Sequence, residues 1–476
     1  MLFNSPAFAV FLPVVFLLHW WWFRKGRNSQ NLLLLISSYI FYGFWDWRFL
    51  SLMFISSLTD FVVGILIGDA EDDRRRKLLL GISLTVNLGI LGFFKYFNFF
   101  TDAFIRLLNG LGMEADPFTV NVILPVGISF YTFQTLSYTI DIYRGKMKPV
   151  RDPLAFFTFV SFFPQLMAGP IERAERLLPQ FLKKRDFDFS KAASGLQLLL
   201  YGMFKKVVIA DRLAPFVEQV FNMPEEAKGA TVVLAACMFS IQIYCDFSGY
   251  SDMAIGLARF FGIDLMTNFR TPFFSRSVRE FWSRWHISLS TWFRDYVYFP
   301  LGGSRSGTGR WVINIMLTYS ISGLWHGANY TFVIWGSMYG LIYCLEMLPE
   351  RFGRKPFRLP AVSGALYVFL VFAFLMIFFR ADKLGDAVLL IRNLAIWDAA
   401  MPDLSMLAAS SREGVLLAFA FGVFVCLELA SRKENITQVF ARLPGPFRWG
   451  MYYLLVFLFI MLADLSVSRE FVYFQF

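Results

Sequence analysis

Apolar runs separated by short polar segments repeat along the whole chain. They fall near residues 7–23, 31–49, 50–68, 78–100, 120–141, 154–170, 195–221, 230–261, 311–325, 328–347, 361–379, 412–430 and 449–466. Several approach the roughly 20 residues that span a bilayer. Helix is the expected form of each, because a helix satisfies its own backbone polar groups in lipid. The pattern predicts an all-α, polytopic integral membrane protein, with about 11 transmembrane helices plus re-entrant helices around a central funnel. We read residues 1–476 as a single transmembrane domain carrying an aromatic tail at 467–476 on the outer side.

Two places resist a simple span. Residues 154–170 lie between two basic clusters and end in Met167-Ala-Gly-Pro170, which predicts a re-entrant or half-buried helix. Residues 311–347 must go out and back between inner loops at 305–310 and 351–358, so each leg has about 18 residues, near the lower limit for crossing. The turn is expected at His326–Tyr330, with His326 near the bottom of the funnel. Residues 262–310 are expected to line its inner half.

Composition agrees with the pattern. The chain is 57% hydrophobic and only 17% charged, and its 58 phenylalanines exceed what a soluble core could hide. A soluble α/β enzyme is excluded. The net charge of +10 does not point to nucleic acid, because the basic residues sit in short loops between spans. Clusters at Arg24–Arg27, Arg74–Lys77, Arg144–Arg151, Arg173–Arg185, Arg351–Arg358 and Arg432–Arg448 belong on the cytoplasmic side. Both termini are then outside, as are the acidic linkers Glu114–Asp116 and Pro224–Glu226. Residues 7–23 form a first span, not a cleavable leader. The four cysteines are scattered through apolar segments, with no metal or disulfide spacing.

Chemistry is concentrated around two of the three histidines. An ionisable side chain within an apolar run is costly and is a functional-site candidate by default. His326 lies in Ser322-Gly-Leu-Trp-His-Gly-Ala-Asn329, beside Trp325 and Asn329. One reading is a packing histidine; the other is a general base that takes a proton from an acceptor hydroxyl. His286 sits in a tryptophan-rich polar stretch with Arg279, Glu280, Arg284, Trp285, Arg294 and Asp295. Here an interfacial amphipathic helix competes with a site in which His286 polarises an acyl carbonyl or orients His326 while arginines hold phosphates. His19, beside three tryptophans, reads as an interface residue. Asp246 and Asp252 fall in an apolar run and need partners; Arg284 and Arg294 are candidates, as is a histidine they would orient. The terminal Phe471-Val-Tyr473-Phe-Gln-Phe476 reads as an aromatic anchor, although that does not account for one phenol flanked by phenylalanines.

These residues resemble the membrane-bound O-acyltransferase superfamily, most closely the bacterial branch that includes the alginate O-acetyltransferase membrane subunit. The resemblance rests on Leu124-Pro-Val-Gly-Ile-Ser-Phe-Tyr-Thr-Phe-Gln134, Ala168-Gly-Pro-Ile-Glu-Arg173, Phe281–Tyr296 continuing to Leu301-Gly-Gly303, and Gly323-Leu-Trp-His-Gly-Ala-Asn329. Tyr244–Gly256 and the aromatic terminus also match, so it covers essentially the whole chain. It implies His326 as the catalytic histidine and His286 as the second family histidine. It implies acetyl-CoA as a cytoplasmic acyl donor, with no tightly bound cofactor or metal, and an extracytoplasmic SGNH-type acetyltransferase as partner. The location implied is the bacterial inner membrane. Similar proteins acetylate alginate, cellulose or peptidoglycan, and a more distant branch D-alanylates teichoic acids; Pro300-Leu-Gly-Gly303 favours the acetyl branch. A tyrosyl ester is an activated acyl carrier, because a phenol (pKa about 10) leaves readily, and Tyr473 is the expected relay. Arg284, Trp285, Arg294, Asp295, Trp325, Asn329 and Asp246 are the expected substrate-pocket residues. Three other readings are acyl transfer directly to a lipid acceptor, transport of polymer precursors without a covalent step, and a structural membrane anchor for a polymer synthase. An inverted repeat would favour the transporter, and none is evident.

Overall fold

The computed structural model describes residues 1–113, 118–120, 123–167, 169–397, 403–408, 410–464 and 469–472. Regular structure among them is entirely helical. Eight helical runs are long and apolar enough to cross a membrane, and a shorter apolar helix covers Pro6–Trp22. The chain is a multi-pass membrane protein. Glu114–Asp116, Ala168 and Tyr473 of the sequence reading lie outside the described residues.

The chain divides into two compact units. The first comprises Met1–Gly195 with Leu257–Met266. Its longest apolar run, Arg27–Asp69, is two 20-residue helices: the backbone turns extended at Asp46, whose carboxylate caps the next turn through the Arg48 amide. Helices Leu50–Asp69, Asp73–Leu91 and Ile128–Tyr143 pack around a buried polar cluster. The Asp60 carboxylate accepts from Ser83 Oγ at 2.5 Å and Asn87 Nδ2 at 2.8 Å, and Asn87 Oδ1 accepts from Ser56. In an apolar surround such groups are tolerated because each finds a partner on a neighbouring helix. Gly64 lets the Tyr138 ring press against its helix, since a Cβ there would stand 2.5 Å from that ring.

Residues 154–170 do not form one helix. Pro153–Ser161 and Phe163–Leu166 are short and almost wholly buried, with a break at Phe162. The broken backbone is satisfied locally: the Phe163 amide donates to Ser38 Oγ, and the Phe159 carbonyl accepts from Gln134 and Gln165. Irregular backbone at membrane depth persists only under such cover. The next motif residue, Glu172, accepts the Met266 amide and thereby ties down the chain after residue 262. Burial pushes the Glu172 carboxyl up to about 7. His19 is fully buried in this unit, against Trp20 and Phe261, and not at an interface. Tertiary packing has taken up the apolar edges of its ring, which the tryptophan-rich sequence around it could not reveal.

The second unit comprises Leu196–Gly256 and Thr267–Phe476. Helix Gly229–Phe260 has 32 residues, about 48 Å at 1.5 Å per residue. Helices Thr308–His326 and Tyr330–Arg351 form an antiparallel hairpin whose tight turn is Gly327–Asn329. Ala361–Arg380 packs against the second leg and carries Phe372 and Phe379 into the unit's aromatic core.

The Asp60 cluster gives a direct test of the first unit. Replacing Asp60 with Ala strips an acceptor from two buried donors and is expected to cost about 1–3 kcal/mol. Thermal unfolding in detergent should show a lowered midpoint, with Asp60→Asn closer to wild type; an unchanged midpoint for Asp60→Ala would contradict the assigned role.

Candidate active site around two buried histidines

His286 is placed by a stretch that is tied down on both sides. Ser277 caps the short helix Val278–Trp282 by accepting the Glu280 amide. Glu346, from the facing helix, accepts the amides of Val278 (2.8 Å) and Arg279 (3.0 Å). A carboxylate is at home there, where free amides and the helix dipole converge. Downstream, the Arg284 carbonyl accepts from the Arg270 amide, and the Ile287 amide donates to the Asn268 carbonyl. Asn268 Oδ1 accepts from both the amide and the hydroxyl of Ser288, and Asn268 Nδ2 donates to Ser251 on helix Gly229–Phe260. Between these ties His286 takes a left-handed backbone, φ 41°, and is one of two non-glycine residues with positive φ among the described residues. Such a conformation costs about 1–3 kcal/mol and persists only where its surroundings over-determine it. It precedes the helix Ile287–Phe293, and the ring is 0% exposed.

His326 is the last residue of its helix and is 3% exposed. The chain then turns extended at Gly327, where a Cβ would run into the Phe332 ring, and Asn329 Oδ1 caps the next helix through the Thr331 amide. The two legs touch backbone to backbone. A Cβ on Gly323 would collide with the Phe332 carbonyl, and one on Gly336 would lie 3.0 Å from the Gly323 Cα. Small residues at such crossings are what allow membrane helices to approach closely.

The two imidazoles, 40 residues apart in sequence, lie with ring centroids 6.4 Å apart, and Trp325 contacts both. Phe247 stands edge-on to His286 at 4.6 Å; Trp335 (5.1 Å) and Phe379 (5.5 Å) border His326. Burial holds the His286 imidazole far below its ordinary value, at about 3, so the ring is neutral near pH 7. A neutral imidazole can donate one proton and accept another. A cavity of about 480 Å³ borders Ile287, next to His286, and Ser322, one turn from His326. Arg279 and Arg294 line it, both about half exposed.

The remaining sequence candidates are distributed as follows. Arg294 borders this cavity and pairs with Asp295 at 2.8 Å. Arg284 pairs with Glu280 at 2.6 Å. Trp285 packs among Phe269, Phe281 and Phe372. Asn329 Nδ2 donates to the Asp382 carbonyl. The expectation that arginines neutralise Asp246 and Asp252 is corrected: Asp246 binds Lys206 at 2.6 Å and Asp252 binds Lys205 at 2.7 Å. Both arginines have nearer carboxylates in their own stretch.

These lysines escaped the sequence reading. They sit in the π-helical turn Phe204–Ala210, between helices Phe189–Met203 and Asp211–Asn222. A π turn adds a residue to the helical repeat and often marks a functional site. Gly202 and Gly249 allow this turn to meet helix Gly229–Phe260, because a Cβ on either would strike the other's carbonyl. Lys205 also donates to Ser248 and lies over the Tyr201 ring; Tyr201 and Tyr244 donate to buried Glu428. Lys206 also pairs with Asp211 at 2.8 Å. The signal was present, since two ammonium groups within the 195–221 apolar run are as costly as the two aspartates.

A model of the membrane-bound O-acyltransferase family matches residues 148–381, which include both histidines. The chain is 42% identical over 392 residues to a probable alginate O-acetylase of Pseudomonas putida, covering 81% of this chain and 79% of that protein. It is 35% identical to the peptidoglycan O-acetyltransferase of Helicobacter pylori, covering 83% and 80% respectively. To the teichoic acid D-alanyltransferase of Bacillus subtilis it is 27% identical, over 53% of this chain and 67% of that one.

The glycine crossing yields the test for this site's scaffold. Gly323→Ala should lower thermal stability by about 1–3 kcal/mol through overpacking, whereas Gly309→Ala, in open space on the same helix, should not. Equal midpoints for the two variants, measured in the same detergent, would refute the assigned crossing.

Proposed function

The chain belongs to the membrane-bound O-acyltransferase family, in its alginate O-acetylase branch, and from that membership we propose that it moves an acetyl group from cytoplasmic acetyl-CoA across the membrane for O-acetylation of an exported or cell-wall polysaccharide. As an O-acyltransferase it must bring an activated acyl carbonyl and an acceptor hydroxyl to one base. The observation that carries the reading is the pair of buried histidines with ring centroids 6.4 Å apart, beside a cavity flanked by two arginines.

In this reading the donor enters the cavity, with Arg279 and Arg294 pairing with its phosphates. His286, neutral through burial, donates a hydrogen bond to the thioester carbonyl oxygen. The phenol oxygen of Tyr473 attacks the carbonyl carbon while His326 accepts the phenolic proton. The C–S bond breaks, and the proton passes from His326 to the departing thiolate, leaving free CoA thiol and an acetyl-tyrosyl ester. That ester then gives its acetyl group to a hydroxyl of an extracytoplasmic SGNH-type partner, which acetylates the polymer; the phenol recovers its proton.

Support for a relay comes from the residues just before Tyr473. Phe471 is buried against Phe247, which also meets the His286 ring. The polysaccharide is of the alginate or peptidoglycan type, as in the names of the acetylating relatives. The enzyme sits among the lipids of the bacterial inner membrane as one transmembrane domain, with both termini outside.

Intact-protein mass spectrometry after incubation with isotopically labelled acetyl-CoA tests this. Wild type is expected to carry one label at Tyr473, and Tyr473→Phe none. His326→Ala should acquire label about 10²–10⁴-fold more slowly. A wild-type protein that acetylates its partner with no label on Tyr473 would eliminate the relay.

A further inference from the structure

The charged cluster around Lys206 is larger than a membrane interior needs for packing, and one face of it is turned toward the chain's last described residues. Lys206 and Asp246 are each 1% exposed. Lys206 Nζ reaches Asp246, Asp211 and, at 3.3 Å, the carbonyl oxygen of Glu470. The other oxygen of Asp246 accepts the Val472 amide at 2.8 Å. Arg469 pairs with Glu218 at 2.5 Å. Three ties therefore fall within residues 469–472, and two of them are to main-chain atoms. A polar cavity of about 230 Å³ adjoins them, lined by Lys206, Asp211, Glu218, Asp246, Arg380 and Arg469 among others.

We propose that Lys206 and Asp246 are positioning residues that clamp the backbone of the C-terminal segment and so seat it against the histidine pair. Resting on the relay reading, this names the device that would present Tyr473. The route is short. The clamp fixes Glu470 and Val472, on either side of Phe471. Phe471 packs on Tyr250 at 4.8 Å and Phe247 at 5.4 Å between ring centroids, and Phe247 packs on His286 at 4.6 Å. The π turn makes the clamp possible by carrying two adjacent lysines into the same helix contact, each with its own aspartate. Lys205 serves as an internal comparison. It stands on the same turn as Lys206 but pairs with Asp252, and its Asp252, Ser248, Tyr201 and Tyr244 contacts are all outside residues 469–472.

Hydrogen–deuterium exchange of the full-length protein in detergent reads the clamp without reference to catalysis. In Lys206→Met, and in Val472→Pro, which deletes the clamped amide but leaves every charge in place, amides of residues 469–471 should exchange at least about tenfold faster than in wild type. Lys205→Met should leave them unchanged, and Lys206→Arg should restore much of the protection. In a coupled assay with labelled acetyl-CoA, Lys206→Met should lower kcat at least about tenfold with the KM for acetyl-CoA unaltered, because the donor cavity is untouched. Unchanged exchange in both Lys206→Met and Val472→Pro would overturn the clamp, as would equal loosening by Lys205→Met. The relay is judged separately: if Tyr473→Phe supports full transfer while Lys206→Met still releases the segment, the relay falls and the clamp stands.

Discussion

Inside a bilayer, each amide, carbonyl and charge must find its partner within the protein, because no water is there to supply one. Three irregular features among the described residues are answerable to that constraint. The break at Phe162 exists because Ser38, Gln134 and Gln165 occupy the freed backbone groups. The short helix before His286 starts where it does because Glu346 covers its first amides. The left-handed turn at His286 is held by Asn268 on one side and Arg270 on the other. Each of these departures from plain helix thus has a named side chain or backbone group that satisfies it.

The same constraint governs charge. Ammonium and carboxylate groups in a low-dielectric interior are costly singly, and removing one partner leaves the other exposed to the full desolvation penalty. Lys205 and Lys206 answer this in parallel, one with Asp252 and one with Asp246 and Asp211. A purely apolar contact between these helices would pack at least as well. That the chain retains five ionisable groups at this one crossing is consistent with a use for them beyond stability.

Much of the architecture was legible in the sequence. Apolar run length sets the helices, and the hairpin turn expected at 326–330 falls at Gly327–Asn329 because Gly and Asn there supply an extended break and a cap. The double basic flank and Gly-Pro end of 154–170 marked a segment that departs from a plain spanning helix, and it forms two short helices. What escaped was the helix phase and the pairing, although the two lysines themselves stood within an apolar run. Nothing in Met203–Asp211 announces a π turn, so the phase at which its lysines emerge could not be read. The partners of Asp246 and Asp252 are some 40 to 50 residues away in sequence, and choosing them requires the helix crossing that Gly202 and Gly249 define. His286 and His326 could be singled out by residue type alone, but not their shared contact with Trp325 or the backbone strain at one of them.

The contact between Gly323 and Gly336 bears on where motion can reside. Two helices whose main chains touch have no side-chain layer to deform, so they cannot slide or spread by small adjustments as ordinary helix pairs do. His326, at the end of one such leg, is effectively a fixed point. A reaction centred on a fixed point draws its mobility from the reactants and not from the ring.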